Sequence, residues 1–278
     1  MRVDGNFTLF PEMRPAAMVV SHERSGTHFL MNALASCYGY VSTPWVDFDR
    51  PTFNINYFYL PEVRELLLAL ADRPMANIVK SHHAVEFFTG ALERITERYV
   101  VFVICRNPVA VMDSFWRFMH QWPWTEGPKT PDAPSFAVAE PFGRLMRYQM
   151  RQHRDMLERW SAHVEGWLAA AERLSRVVIV RYEDLDTDYE ATVRGFAKHL
   201  GRPPAAIVRP ARDHNVIPGG SRDPIGSGRQ TDLDALGRVC RQRVGQTMAR
   251  LGYGATGGSA WHWPGGSSPI RSELDCPS

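Results

Sequence analysis

The chain is predicted to be a three-layer α/β protein, a parallel central sheet flanked by helices on both faces. Two observations carry that expectation. The runs "RYVVFVICR" (98–106) and "RVVIVRY" (176–182) are apolar and β-branched without alternation, as strands buried on both faces are. Each is followed by helix signals, and strand–helix alternation builds a parallel sheet. With 278 residues, 44% of them hydrophobic and 22% charged, the chain can fill one large core. We read residues 1–278 as a single domain.

Taken in order, "AMVVS" (17–21) predicts the first buried strand, and 26–37 a helix with apolar Phe29, Leu30, Ala33, Leu34 and Cys37. Aromatics and prolines then crowd 42–60, which reads as loop and forms most of a lid over 38–60. Pro61 suits the first turn of a helix running to about Ala71. "NIVKSHH" (77–83) is the second strand, 84–97 a connecting helix, and 98–106 the central strand. Asn107 and Pro108 are a helix cap and first-turn residue for the segment that follows. Five prolines without any period make 120–141 a second lid loop. A long helix over about 142–172, a strand at 176–182 and a helix at 189–201 closed by Gly201 come next. A third lid loop, 202–231, precedes the last helix.

Bulk composition excludes several classes. A formal net charge of +2 makes no general case for nucleic acid. Cys37, Cys105, Cys240 and Cys276 are widely spaced without C-x-x-C, signalling neither a zinc site nor a disulfide framework. No apolar run approaches the roughly 18–20 residues of a membrane span, and "MRVDGNFTLFPEMRP" lacks a signal-peptide core. A cytoplasmic protein in a reducing compartment is expected, with homo-oligomerisation left open.

In parallel sheets ligands collect beyond the carboxyl ends of the strands. The first such place is "HERSGTHF" (22–29), a strand-to-helix turn of small residues. A turn of this kind directs backbone N–H groups and the helix dipole at one point, where an anion can sit. Ser25 and Thr27 add hydroxyls, Gly26 allows close approach, and Arg24 supplies charge. The triphosphate loop G-x-x-x-x-G-K-[ST] is not present, since its first Gly and its Lys are both missing. After the 98–106 strand, Arg106 is followed eight residues later by Ser114, on a stripe with Asn107, Ala110 and Val111. Arg106 and Ser114 can therefore address a single anion along that helix.

These residues resemble the sulfotransferases that use 3′-phosphoadenosine 5′-phosphosulfate (PAPS). The resemblance covers about 17–255 and implies a P-loop-NTPase-like sulfotransferase fold. Arg24, Ser25, Gly26 and Thr27 match the 5′-phosphosulfate loop of that family. Phe29 replaces the Trp that stacks on adenine, and His28 stands where a Thr or Ser helps hold phosphate. Glu23 beside the basic residue is a departure; a carboxylate there must point away or pair with an Arg. Arg106 and Ser114 match the family's 3′-phosphate pair. "VVIVRYEDL" resembles the strand that brings a Tyr, here Tyr182, near the adenine. "GGSRDPIGSGRQT" (219–231) occupies the place of the loop closing over the 3′-phosphate, with Arg222, Gly228 and Arg229 as its candidates.

Lys80 and His82 are two apart at a strand end, so both face one side. The family's Lys-Thr-His places its general base at the His, here His82 or its neighbour His83, and an imidazole titrates near neutrality. Lys80 and Arg24 would balance the transferring group. His82 and His83, being adjacent, point to opposite faces, and no metal is called for. The implied reaction moves a sulfuryl group from PAPS to a hydroxyl or amine of a small acceptor, leaving PAP. Aromatics in the first two lids (Tyr38, Tyr40, Trp45, Phe48, Phe53, Tyr57, Phe58, Tyr59, then Trp116, Phe118, Trp122, Trp124) suit an aromatic, lipid-like or glycosidic acceptor. Two alternatives are a kinase with a divergent phosphate loop and a nucleotide-binding module without turnover.

Overall fold

The computed structural model describes residues 2–3, 7–8, 15–47, 60–72, 76–121, 126–211 and 227–253. Two two-residue strands, β1 (Arg2–Val3) and β2 (Phe7–Thr8), pair antiparallel. The main sheet follows, made of β3 (Ala16–Ser21), β4 (Val41–Asp47), β5 (Asn77–Ser81), β6 (Tyr99–Cys105) and β7 (Val177–Arg181). Its order is β4-β5-β3-β6-β7 and every pairing is parallel. Central strand β3 sets Val20 beside Ser81 of β5 and Ser21 beside Ile104 of β6. The carboxyl ends of these strands therefore share one rim.

Alternation along the strands divides the core in two, because successive side chains leave a sheet on opposite faces. Met18, Val20, Val101, Val103 and Cys105 face one layer; Ala17, Val19, Val100, Phe102 and Ile104 face the other. The first layer holds α2 (Leu60–Ala71), α3 (Leu92–Arg98), α4 (Pro108–Gln121), α5 (Ala133–Ala137), α6 (Met156–Arg173) and α10 (Ser227–Arg250). The second holds α1 (Thr27–Tyr38), α7 (Tyr182–Thr187), α8 (Tyr189–Gly195) and α9 (Ala197–Leu200). This is the three-layer α/β architecture expected.

Several local expectations need correction. The segment 38–60 is not loop throughout. Tyr38 ends α1, Gly39 closes it at φ 79°, and β4 adds to the sheet edge, where aromatic and β-branched residues satisfy backbone groups. Between 120 and 141, α4 runs to Gln121 and α5 forms where Asp132 caps the amide of Ser135. The helix expected over 142–172 begins only at Met156, capped by Asp155; before it lies a 3-10 turn, Gly143–Tyr148. Similarly, 84–97 splits into a 3-10 turn (Val85–Phe88) and α3. The third lid, 202–231, ends in helix, because α10 starts at Ser227. Residues 212–226, Arg222 among them, lie outside the described set. Among the described residues, no helix is long and apolar enough to cross a membrane.

Candidate active site

The chain leaves β3 through His22 and Glu23 and turns sharply into α1. Arg24 adopts φ 66° and Gly26 φ 96°, two left-handed residues within one turn. For Gly26 a side chain is also excluded by space, since a Cβ would lie 2.4 Å from the Tyr182 ring. Its freedom serves the packing of Tyr182 as well as the turn. Gly26 caps α1 without a side-chain bond, and the amides of Phe29 and Leu30 reach back to its carbonyl at 3.0 and 3.2 Å. Ser25 does not act as the cap: its Oγ is buried without a hydrogen-bond partner among the described residues. Thr27 Oγ1 meets Ser21 Oγ at 2.6 Å.

Three elements converge in front of this turn. Arg24 Nε donates to Ser114 Oγ of α4 at 3.1 Å, and its guanidinium lies 4.8 Å from the Phe118 ring. Arg106, just past β6, donates to the Arg24 carbonyl at 3.4 Å and stacks 4.2 Å over Tyr182. Neither guanidinium has a carboxylate partner among the described residues. Arg24 keeps surface in solvent, but its head is crowded. Desolvation, then the nearby charges of Arg106 and Arg117, lower its pKa to about 10, so it stays protonated at neutral pH. Phe29 lies 6.0 Å from Tyr182, while Arg209 reaches over the same Phe29 ring at 5.5 Å. Arg209, from the segment where Arg222 and Arg229 were the candidates, was not anticipated. Gly228 and Arg229 fall in the first turn of α10, and their side chains are not among those described. His28 turns its ring edge-on to Trp45 at 4.9 Å.

The two neighbouring histidines diverge. His83 is buried, its Nδ1 2.9 Å from Ser81 Oγ and its ring 4.1 Å from Phe87. His82 stays half-buried on the rim, with Nδ1 2.9 Å from the Ser21 carbonyl. The Ser21 hydroxyl lies 3.1 Å from the same nitrogen; the shorter contact, to a carbonyl that only accepts, is a hydrogen bond in the tautomer protonated at Nδ1, which leaves the basic lone pair on Nε2. Lys80, two residues earlier on β5, is buried beside Val19 of β3.

Beneath the turn lies a network that sequence reasoning foresaw only in part. Glu23 takes two hydrogen bonds from Arg159 of α6, at 2.8 and 2.9 Å. Burial alone would raise the Glu23 pKa; the Arg159 charge and bonds, with His22, override it and hold the carboxyl far below its usual range. Arg159 also donates to Gln149 Oε1 at 2.8 Å and to His22 Nε2 at 2.7 Å. His22 Nδ1 in turn faces the Glu23 carbonyl at 3.0 Å. Burial above all keeps His22 neutral, its pKa lowered to about 3. Glu23 advertised the need for an arginine, but 136 residues separate the pair, and no local signal names Arg159.

Some expected acceptor-wall aromatics are instead core. Tyr38 and Tyr40 are buried, their hydroxyls donating to the carbonyls of Val193 (2.8 Å) and Pro15 (2.6 Å). Trp116 donates to the Thr130 carbonyl at 3.0 Å. Phe118 and Trp45 border the site, whereas Phe48, Phe53, Tyr57, Phe58, Tyr59, Trp122 and Trp124 lie outside the described residues.

Comparison with known proteins identifies the family. A family model described as "Sulfotransferase domain" matches residues 14–215. Sulfotransferase 2B1 of Mus musculus is 24% identical over 190 residues, 66% of this chain and 49% of that protein. Its Rattus norvegicus counterpart is 24% identical over 196 residues, with the same coverage. The chain thus spans about half the length of the curated relatives it matches. The crystal structure of mouse sulfotransferase SULT7A1 complexed with PAP aligns over 88% of this chain and 91% of its own, with TM-score 0.51 and 14% identity, a likeness of fold. With the domain model covering well over half of its residues, the chain belongs to the sulfotransferase family.

Proposed function

We propose that this protein transfers the sulfuryl group of PAPS to a hydroxyl or amine of a small acceptor, with His82 as general base. The observation that carries the reading is the meeting of Arg24, Arg106 and Ser114, neither guanidinium paired with a carboxylate among the described residues, beside the half-buried His82 on the same rim. A cationic pocket with an unpartnered buried hydroxyl, Ser25, fits the two anionic ends of one nucleotide. PAPS, when bound, supplies an electrophilic sulfur whose bond to the 5′-phosphate oxygen breaks as the acceptor oxygen bonds to it.

In that arrangement the α1 turn and Arg24 hold the 5′-phosphosulfate, and Arg106 with Ser114 holds the 3′-phosphate. Phe29 and Tyr182 offer the adenine an aromatic surface. The acceptor proton passes to His82 Nε2, and the Ser21 carbonyl stabilises the resulting imidazolium through Nδ1–H. Lys80, Arg24 and the turn face the charge that builds on the departing phosphate. Phe118 beside Arg24 suits an apolar acceptor, so we assign aromatic or lipid-like alcohols as the first to screen.

The test is calorimetric titration with 3′,5′-adenosine bisphosphate against ATP, followed by label transfer from PAPS to an acceptor panel. Tight binding of the bisphosphate, weak binding of ATP and chelator-resistant transfer are expected. Preference for ATP with magnesium would overturn the reading in favour of a kinase. Bisphosphate binding with no transfer would leave a nucleotide-binding module.

A further inference from the structure

Close to His82 lies a small, partly open polar cavity with no part in the chemistry just described. Its wall includes His22, Glu86, Tyr148, His153, Arg159 and His163. Tyr148 links the two places: its ring meets His82 edge-on at 5.5 Å and also lines the cavity. The volume, about 10 Å³, suits one water-sized group.

The wall is unsatisfied to an unusual degree. Both ring nitrogens of His163, Nδ1 of His153 and Oε2 of Glu86 are buried without a hydrogen-bond partner among the described residues. His163 is only 5% exposed and His153 4%. Each unmet buried group costs about 1–3 kcal/mol, so such groups on three residues lining one space call for an occupant. His163 is held neutral, foremost by burial and then by neighbouring His22, so one ring nitrogen donates and the other accepts. A carboxylate only accepts and would face Glu86. An ammonium only donates and would face Arg159. A hydroxyl accepts from one wall group and donates to another, such as Glu86, without charge.

We propose that this cavity is an acceptor subsite, in which His163, with His153 and Glu86, recognises a second hydroxyl on the molecule whose first group faces His82. The proposal rests on the acceptor reading of the site above. It makes the preferred substrates diols, one hydroxyl sulfated and one bound in the cavity beside Tyr148.

Matched probes test it by calorimetry in the presence of 3′,5′-adenosine bisphosphate: 4-propylphenol with 4-(3-hydroxypropyl)phenol, and 2-naphthol with naphthalene-2,7-diol. In at least one pair the diol should bind the unaltered protein about 10-fold or more tightly than the mono-ol. His163→Leu should reduce that preference below about 3-fold and leave mono-ol affinity in place, whereas His163→Gln, which still donates and accepts, should keep it. Equal binding within both pairs overturns the subsite, as does a preference that survives His163→Leu. A crystal structure of the diol complex in which the cavity retains a water and no ligand oxygen overturns it too. The binding readout is independent of turnover. Diol preference without label transfer from PAPS retains the subsite and removes the transfer reading; transfer to mono-ol and diol with equal affinity does the reverse.

Discussion

Two arginines on either side of one turn make opposite use of the same side chain. Arg159, 4% exposed, is neutralised by a bidentate carboxylate and fills its remaining donors with Gln149, His22 and the Leu145 carbonyl. Arg24, one residue beyond that carboxylate, has a hydroxyl and a phenyl ring for company, with Arg106 and Arg117 near enough to lower its pKa. Below the turn charge is cancelled, and above it charge is left over. A buried ion pair of this kind holds the backbone in place, whereas an uncancelled cation waits for an anion. The Glu23–Arg159 clamp sits immediately before the strained φ of Arg24, and we read it as what keeps that cation aimed at Ser114.

The comparison breaks most visibly at Arg159. Arg159→Met strands Glu23 in the interior and should destabilise by about 3–5 kcal/mol in urea denaturation, while Glu23→Gln added to it should recover much of the loss. Equal stability of the single variant and the parent would show that the clamp holds nothing. Proton linkage has the same origin. Glu23, depressed when folded, contributes stability that is full above its unfolded pKa of 4.5 and is lost as pH falls toward its lower folded pKa. His22, lowered from 6.5 to about 3, binds its proton more readily when unfolded, so stability also falls from pH 6.5 toward 3. Denaturation midpoints unchanged between pH 7 and 4 would contradict both signs.

On the upper side, His82→Ala should lower turnover by a factor of about 10²–10⁴ with bisphosphate affinity nearly constant. Undiminished turnover would move the base elsewhere. Arg106→Ala is expected to weaken 3′,5′-adenosine bisphosphate by about 10–100-fold and AMP much less; equal losses would mean that Arg106 does not read the 3′-phosphate. The smallest change is Ser25→Ala. Because its Oγ has no partner among the described residues, stability should stay within about 0.5 kcal/mol while nucleotide affinity drops a few-fold. A clear loss of stability would mean that the hydroxyl has a structural partner after all.

How much could be read beforehand follows from the range of each interaction. The α/β class, the strands at 98–106 and 176–182, and the rim position of Arg24, Arg106, His82 and Tyr182 are local matters. Apolar runs and turn residues announce them, and a parallel sheet brings its strand ends to one edge. Lid boundaries were harder. The strand Val41–Asp47 forms at the sheet edge despite an internal proline, and the 3-10 turn before α6 interrupts an otherwise helical pattern. In both cases tertiary packing outweighed local preference.

From sequence alone came the fold class and the expectation of an anion-binding turn at 24–27, since each depends on residues a few places apart, whereas the expected pairing of Arg106 with Ser114 gave way in the folded chain to a bond from Arg24 to Ser114. Only the folded molecule could separate His82 from His83. Adjacent residues on a strand end must face opposite ways, and the Ser21 carbonyl on one side and Phe87 on the other choose between rim and core. The same holds for Arg159 as the partner of Glu23 and for Tyr182 as the ring that keeps residue 26 a glycine. Those choices are made by contacts between distant segments, and packing alone decides which segments meet.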